Sequence, residues 1–360
     1  MFRRIVVRGV NWIGDSVISV AALRETRRLF PQAHLTLLVR PWVAGLFEGT
    51  DLADDIALYD GRRASFWSGV ATLRAGKFDA AILFQNSFEA AALAFAARIP
   101  TRIGYPTEGR GPLLTERIPL AAATHRKHQI FYYLDLISRL EERLTGASHV
   151  DFSSPKYALP VSDERRKSVR DSLVAAGADP GRPWAALAPG AANSRAKQWP
   201  PASFAALADL LAERDGCEVF LVGAPNESPI CQDVADRARA RDRVRTLAGA
   251  LSLPESVAFL AECHLVVSND TGPAYVAAAL DRPLVTIFGP TDPNMIRPYS
   301  DTAHIARKLV HCAPCLLRDC PIDHRCLSDL TPEDVYRRAR PLLNPSAAHS
   351  FASRSSPTAH

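Results

Sequence analysis

VVSNDTGPAYVAAALDRPLVTIFGPTDP, residues 266–293, is the stretch that decides how the chain is read. An apolar run ends in the polar turn Ser268-Asn269-Asp270-Thr271-Gly272; a small-residue helix is expected over 274–280, a second apolar strand over 284–288, and a Gly-Pro turn closes the unit. Strand, turn, helix and strand in that order belong to a parallel α/β sheet. There, ligands gather at the carboxyl ends of strands, and a helix start offers free N–H groups to an anion. Asp270, Thr271 and Gly272 therefore have two readings: the floor of a site for a phosphate-bearing ligand, or an ordinary capped turn with glycine present for backbone reasons.

The alternation extends outward from this stretch in both directions. Upstream, strands are expected over 184–188 and 218–222 and helices over 202–214, 227–240 and 256–262, with the long polar turn 189–200 after the first strand. The first half repeats the scheme, with strands over 5–7, 35–39, 55–58, 80–84 and 102–104 and helices over 16–30, 65–75, 88–98 and 128–144. Residues 106–119, with Gly109, Gly111 and Pro112, read as a mobile loop. Composition shifts near the Asp179-Pro180-Gly181 turn, so the expected organisation is two Rossmann-like domains, 1–177 and 178–345, lining a cleft, and a disordered tail, 346–360.

The bulk numbers agree with this reading and exclude several others. A chain of 360 residues with 47% hydrophobic and 22% charged residues can bury two cores. The net charge of +5 suits a phosphate- or carboxylate-bearing partner but is too weak to argue for nucleic acid. No window approaches the ~18 apolar residues of a membrane span, and the opening MFRRIVVRGVNWIGD is too interrupted for a secretory signal, so a cytoplasmic location is expected. The first turn, GVNWIGD, lacks GxGxxG, which disfavours nicotinamide and flavin cofactors.

Three turns would converge if both sheets aim their carboxyl ends at one cleft. Asn11-Trp12-Ile13-Gly14-Asp15 places a carboxylate at a helix start, either as a cap or as a general base for an attacking hydroxyl. Residues 189–200, PGAANSRAKQWP, offer close backbone approach, the Ser194 hydroxyl and the Lys197 charge, or simply a solvated basic loop. The third is the Asp270-Thr271-Gly272 turn.

NWIGD, the Asn86-Ser87-Phe88 turn, PGA followed by AKQWP, LVGAP, NDTGP with VAAAL, and FGPTDP together resemble the ADP-heptose:lipopolysaccharide heptosyltransferases, nearest the heptosyltransferase II branch. The likeness runs in order from about Arg4 to Arg340. It implies a GT-B architecture and inverting transfer of heptose from ADP-heptose to the inner core of a lipid A-core glycolipid, at the inner face of the cytoplasmic membrane, with no cofactor required for catalysis. By matching position, Asp15 becomes the base, Lys197 the charge on the diphosphate, and Asp270, Thr271 and Gly272 holders of the nucleotide sugar. Ser194 joins the donor set, Glu227 is a candidate for the ribose, and Asn11, Trp12, Gly14, Asn86 and Ser87 line the acceptor side. Two departures stand out: Ala274-Tyr275 where the family often has Met-His, and Gln198 where it often has Arg.

Cys312, Cys315, Cys320 and Cys326, with His311 and His324 nearby, have metal-like spacing and leave open a structural Zn or Fe site or a set of reduced, partly buried thiols. The remaining cysteines read as packing residues. Arg98, Arg102, Arg110, Arg117, Arg126 and Lys127 are either a solvated face or a surface for an anionic acceptor. A protein-directed heptosyltransferase, a nucleotide-sugar epimerase of the same fold, and a non-catalytic nucleotide-sugar binding subunit are the rival readings.

Overall fold

The computed structural model describes residues 2–120, 128–192 and 194–343; the expected tail, Arg126 and Lys127 lie outside the described residues. It divides into two compact units, Met1–Pro160 and Val161–His360.

The first unit runs β1 (Arg4–Arg8), α1 (Ile13–Leu29), β2 (His34–Val39), α2 (Pro41–Ala44), β3 (Asp55–Leu58), α3 (Phe66–Ala75), β4 (Ala80–Leu83), α4 (Phe88–Ala96), β5 (Thr101–Gly104), β6 (Glu116–Arg117) and α5 (Gln129–Thr145). Its strands are all parallel, in the order β3-β2-β1-β4-β5-β6. The central strands read as continuous apolar runs because helices cover both faces: Ile5, Val6, Val7 and Ala80 to Leu83 are all buried. α1 packs on α5, and Arg28 forks onto Glu141 across that contact at 2.8 and 2.7 Å.

The second unit opens with α6 (Asp163–Ala175) and continues β7 (Trp184–Ala188), α7 (Pro201–Asp215), β8 (Glu218–Leu221), α8 (Ser228–Arg237), β9 (Val244–Thr246), α9 (Leu253–Glu262), β10 (Leu265–Asn269), α10 (Gly272–Ala279), β11 (Leu284–Phe288), α11 (Pro293–Ile296), β12 (Ala303–Arg307), α12 (Arg325–Ser328) and α13 (Pro332–Leu343). Its parallel sheet is ordered β12-β11-β10-β7-β8-β9. Counted from each unit's own first strand, the two sheets share one order, 3-2-1-4-5-6, the doubly wound Rossmann arrangement.

The units divide after Pro160, earlier than the boundary drawn at residue 177. The reason is α6, which packs on α9 and reaches it through Arg166 and Arg170, both paired with Glu262 at 2.7 and 3.2 Å. Residues 106–119 are more ordered than their glycines suggested: a 3-10 turn at Gly111–Leu113 leads into β6.

Candidate functional site

Sheet order fixes where ligands can bind. In a doubly wound sheet the crevice lies where the strand order reverses, at the carboxyl ends of the first and fourth strands. In the first unit these are β1 and β4, so the segments concerned are 9–12, running into the first turn of α1, and 84–87. In the second they are β7 and β10, so the loops are 189–200 and 270–272. The turns singled out from sequence are the switch-point loops of the two sheets.

In the second unit the loops after β7 and β10 are stitched by Asn269, which is fully buried. Its Nδ2 donates to Pro189 O at 2.8 Å, and its Oδ1 accepts from the Trp199 N–H at 3.1 Å. Asp270 beside it is 2% exposed and gathers three donors: Lys197 Nζ on Oδ2 at 2.7 Å, Thr291 Oγ1 on Oδ2 at 2.8 Å, and the Tyr275 hydroxyl at 2.7 Å from Oδ1. Lys197 also donates to Asp270 O at 3.2 Å, and its side chain stays 25% exposed. Its third ammonium hydrogen is thus available at the half-open face of the pair. Tyr275, standing where the family often has histidine, is committed to Asp270 and to Ile296 O at 2.6 Å.

The turn at the start of α10 is less rich in donors than the sequence implied. Thr271 N–H is spent on Asn269 O at 2.7 Å and Pro273 has no N–H, which leaves the Gly272 N–H and the helix dipole facing outward from the turn. The Ser194 hydroxyl donates to Arg318 O at 3.2 Å, so its bond is internal. Glu227 lies at the carboxyl end of β8, where a Rossmann sheet carries its ribose carboxylate. Its Oε2 accepts from the Ala224 N–H at 2.9 Å, and Gly190 packs directly on the carboxylate.

The cysteine segment buttresses this half-site. Arg318 O accepts from the Ala196 N–H at 2.9 Å, Asp319 pairs with Arg195 at 2.7 Å, and His324 Nε2 meets Ala196 O at 2.8 Å. Cys312, Cys315, Cys320 and Cys326 border one small cavity with His324, Ala196 and Pro290, and all are free thiols. Among the described residues, however, no group of three or more His, Cys, Asp or Glu side chains is placed to hold a metal ion. The metal-like spacing of the four cysteines is thus not matched by a metal-holding group among the described residues; the segment is shaped by its polar bonds to the 194–197 turn. Burial pushes the Cys326 thiol up to about 11 and Cys217 and Cys231 up to about 12.

In the first unit α1 begins at Ile13 with Trp12 as a half-exposed cap residue that makes no side-chain capping bond. Asp15 lies within the first turn, three residues past the cap position, so it is not the cap residue; its charge helps hold the buried Tyr133 phenol well above its ordinary range, after burial itself. Asn11 is gripped by Arg8, Arg40 and Trp42. Asn86 Oδ1 accepts from Arg110 at 2.7 Å, and its Nδ2 donates to the Tyr132 hydroxyl. The Ser87 hydroxyl caps α4 by accepting from the Ala90 N–H at 3.2 Å.

The basic residues near 98–117 do not form one solvated face. Arg110 is fully buried and bonds Tyr105 O, Gln85 O and Asn86; desolvation pulls its guanidinium down to about 10. Arg102 latches Ile99 O and Leu113 O. Only Arg98 and Arg117 remain exposed in that set.

Residues 66–325 match the model of glycosyltransferase family 9 (heptosyltransferase). The chain belongs to this family. This family 9 enzyme is 28% identical over 354 residues to the lipopolysaccharide heptosyltransferase 2 of Salmonella typhimurium, a match covering 95% of this chain and 99% of that protein. It is 29% identical over 353 residues to the Escherichia coli protein of the same name, with 94% and 98% coverage. The solved structure of the E. coli ADP-heptose LPS heptosyltransferase II superposes with a TM-score of 0.82 at 25% identity, covering 96% of this chain and 99% of that one. The fold class is accordingly GT-B, and the chain is a glycosyltransferase. The family match begins at residue 66, downstream of the Asn11–Asp15 turn; the two full-length relatives carry the likeness across nearly all of the remainder.

Proposed function

We propose that this family 9 enzyme transfers heptose from ADP-heptose to the inner core of lipopolysaccharide with inversion, as a heptosyltransferase II. The observation that carries the reading is the end-to-end match to two lipopolysaccharide heptosyltransferase 2 proteins, in a chain whose Lys197 and Asp270 follow β7 and β10 and whose Asp15 follows β1, at the switch points of the two sheets. Asp15 takes the proton of the acceptor hydroxyl as its oxygen attacks the anomeric carbon. The bond from that carbon to the β-phosphate oxygen breaks, its electron pair leaves with ADP, and the charge that develops there meets Lys197, the Gly272 N–H and the α10 dipole. Glu227 receives the ribose hydroxyls. A leaving group that is already a stable anion needs no general acid, which accounts for a single base.

In this reading the glycolipid acceptor is met at the inner surface of the cytoplasmic membrane; no described helix is long and apolar enough to cross a membrane. The test is ADP release from ADP-heptose by purified protein, with and without a truncated lipid A-core acceptor. Release should depend on the acceptor and fall by roughly 10²–10⁴-fold in Asp15→Asn, with ADP-heptose binding retained. Release that is independent of acceptor, or undiminished in Asp15→Asn, overturns the reading.

A further inference from the structure

At the carboxyl end of β1, two arginines are buried on a single asparagine. Arg8 is 2% exposed and donates through Nη2 to Asn11 Oδ1 at 2.8 Å; Arg40 is 7% exposed and donates through Nε to the same oxygen at 2.9 Å. Both guanidinium groups lie over the Tyr59 ring, 5.8 and 5.2 Å from its centroid. Glu89 lies 3.6 Å from Arg40 and accepts from the Tyr59 hydroxyl at 2.5 Å, and the Arg40 charge also bears on Asp60. Burial, and then the Arg40 charge, pull Arg8 down to about 10, and its buried Nε has no partner among the described residues.

Burying two neighbouring cations is expensive, and apolar side chains of like volume would hold the end of a central strand at least as well. The chain makes further room for it. Gly61, at φ +69°, lies so close that a Cβ there would fall 1.3 Å from Arg40 Nη1.

The arrangement has one chemical result. Arginine carries donors only, so the atom facing both guanidinium groups must be the amide oxygen, and the carboxamide cannot flip. The Asn11 main chain is pinned as well, its carbonyl accepting from Trp42 Nε1 at 2.9 Å. Asn86 on the neighbouring loop is built in the same way, with Oδ1 on the buried Arg110, but one of its two Nδ2 hydrogens goes to Tyr132. The Asn11 Nδ2 has no protein partner among the described residues.

We propose that Arg8 and Arg40 are positioning residues that lock the Asn11 carboxamide so that its NH2 grips the acceptor hydroxyl beside Asp15. This deepens the acceptor side of the function above and rests on Asp15 being the base. The hydroxyl then uses one lone pair for attack, offers its hydrogen to Asp15, and has its second lone pair held by Asn11 Nδ2.

Asn11→Asp is the discriminating variant. A carboxylate keeps both guanidinium bonds, with charge added, but presents an oxygen where the NH2 was. The expected result is a melting temperature at or above wild type, unchanged ADP-heptose affinity, and kcat with the truncated lipid A-core acceptor lowered by roughly 10- to 100-fold. Arg40→Met frees the amide to turn: kcat should fall by several-fold, with part of the loss restored in Arg40→Lys. Combined with Asn11→Asp, it should add nothing further to the loss in kcat, because the NH2 is already gone. Wild-type kcat in Asn11→Asp, or losses that multiply in the double variant, overturn the proposal. Asp15→Asn assayed alongside keeps the two readings apart: turnover lost there but intact in Asn11→Asp removes the clamp and leaves the base.

Discussion

Gly190→Ala tests the ribose reading of Glu227 through a residue that carries no chemistry of its own. A Cβ at position 190 would stand 2.2 Å from Glu227 Oε1 and 2.3 Å from its carboxyl carbon. Restoring an ordinary 3.4 Å contact requires the carboxylate to retreat by about 1.2 Å (3.4 minus 2.2). The bond from the Ala224 N–H to Oε2, 2.9 Å long, is then strained or lost, at a cost of about 1 kcal/mol. For a unit of this size such a loss lowers the melting temperature by roughly 2–4 °C. Binding should suffer more. Charge-assisted bonds from ribose hydroxyls to a carboxylate contribute about 1.5–3 kcal/mol, so displacing the carboxylate raises the ADP dissociation constant by roughly 10- to 100-fold. Calorimetric titration of ADP into wild type, Gly190→Ala, Glu227→Ala and the double variant settles the matter. The two single losses should be similar and the double variant no worse than either, since both remove one contact. Wild-type ADP affinity in Gly190→Ala with an intact melting curve, or fully additive losses, would refute the reasoning.

Two further outcomes are expected. Hydrogen bonds from Arg28, opposed by burial, hold the Glu141 carboxyl down to about 2 from its ordinary 4.5; because the folded value is depressed, the stabilisation is complete above about pH 4.5 and is lost as pH falls toward 2. Glu141→Gln should therefore flatten the acid limb of melting temperature against pH in that window, and an unchanged limb would show that the Arg28 pair carries no such linkage. Thiol alkylation read by mass spectrometry should modify exposed Cys315 first and leave Cys217, Cys231 and Cys263 untouched in the folded protein, since burial both shields these three and disfavours their thiolates. Early modification of any of the three would contradict their placement in the core.

The strands of both sheet centres were legible because each is a short apolar run that parallel pairing buries on both faces, as with Trp184 to Ala188 and Leu284 to Phe288. Of the edge strands, Asp55–Leu58 was legible but Glu116–Arg117 and Val244–Thr246 were not: these are two and three residues long and mix charge with apolar side chains. α13 did carry a signal, an acidic first turn and apolar Val335, Tyr336 and Ala339 on one face. Among the candidate residues, the turns themselves were readable, since Gly, Asn, Asp and Pro after an apolar run mark a loop whatever surrounds it.

Sequence by itself determined two α/β units and the loops that hold the chemistry, because hydrophobic period and turn composition are local properties of the chain. Tertiary structure decided which polar groups remain free to act. Arg110, counted with a basic surface, became a core residue bonded to Asn86, and Ser194, counted as a donor ligand, spent its hydroxyl on Arg318 O. Asp270 became the hub for Lys197, Tyr275 and Thr291, and Asn11 the shared acceptor of Arg8 and Arg40. A buried polar group must find a partner, and the partner available to it is set by which loops the order of the sheet brings together, over separations such as the 73 residues from Lys197 to Asp270 that no local pattern records.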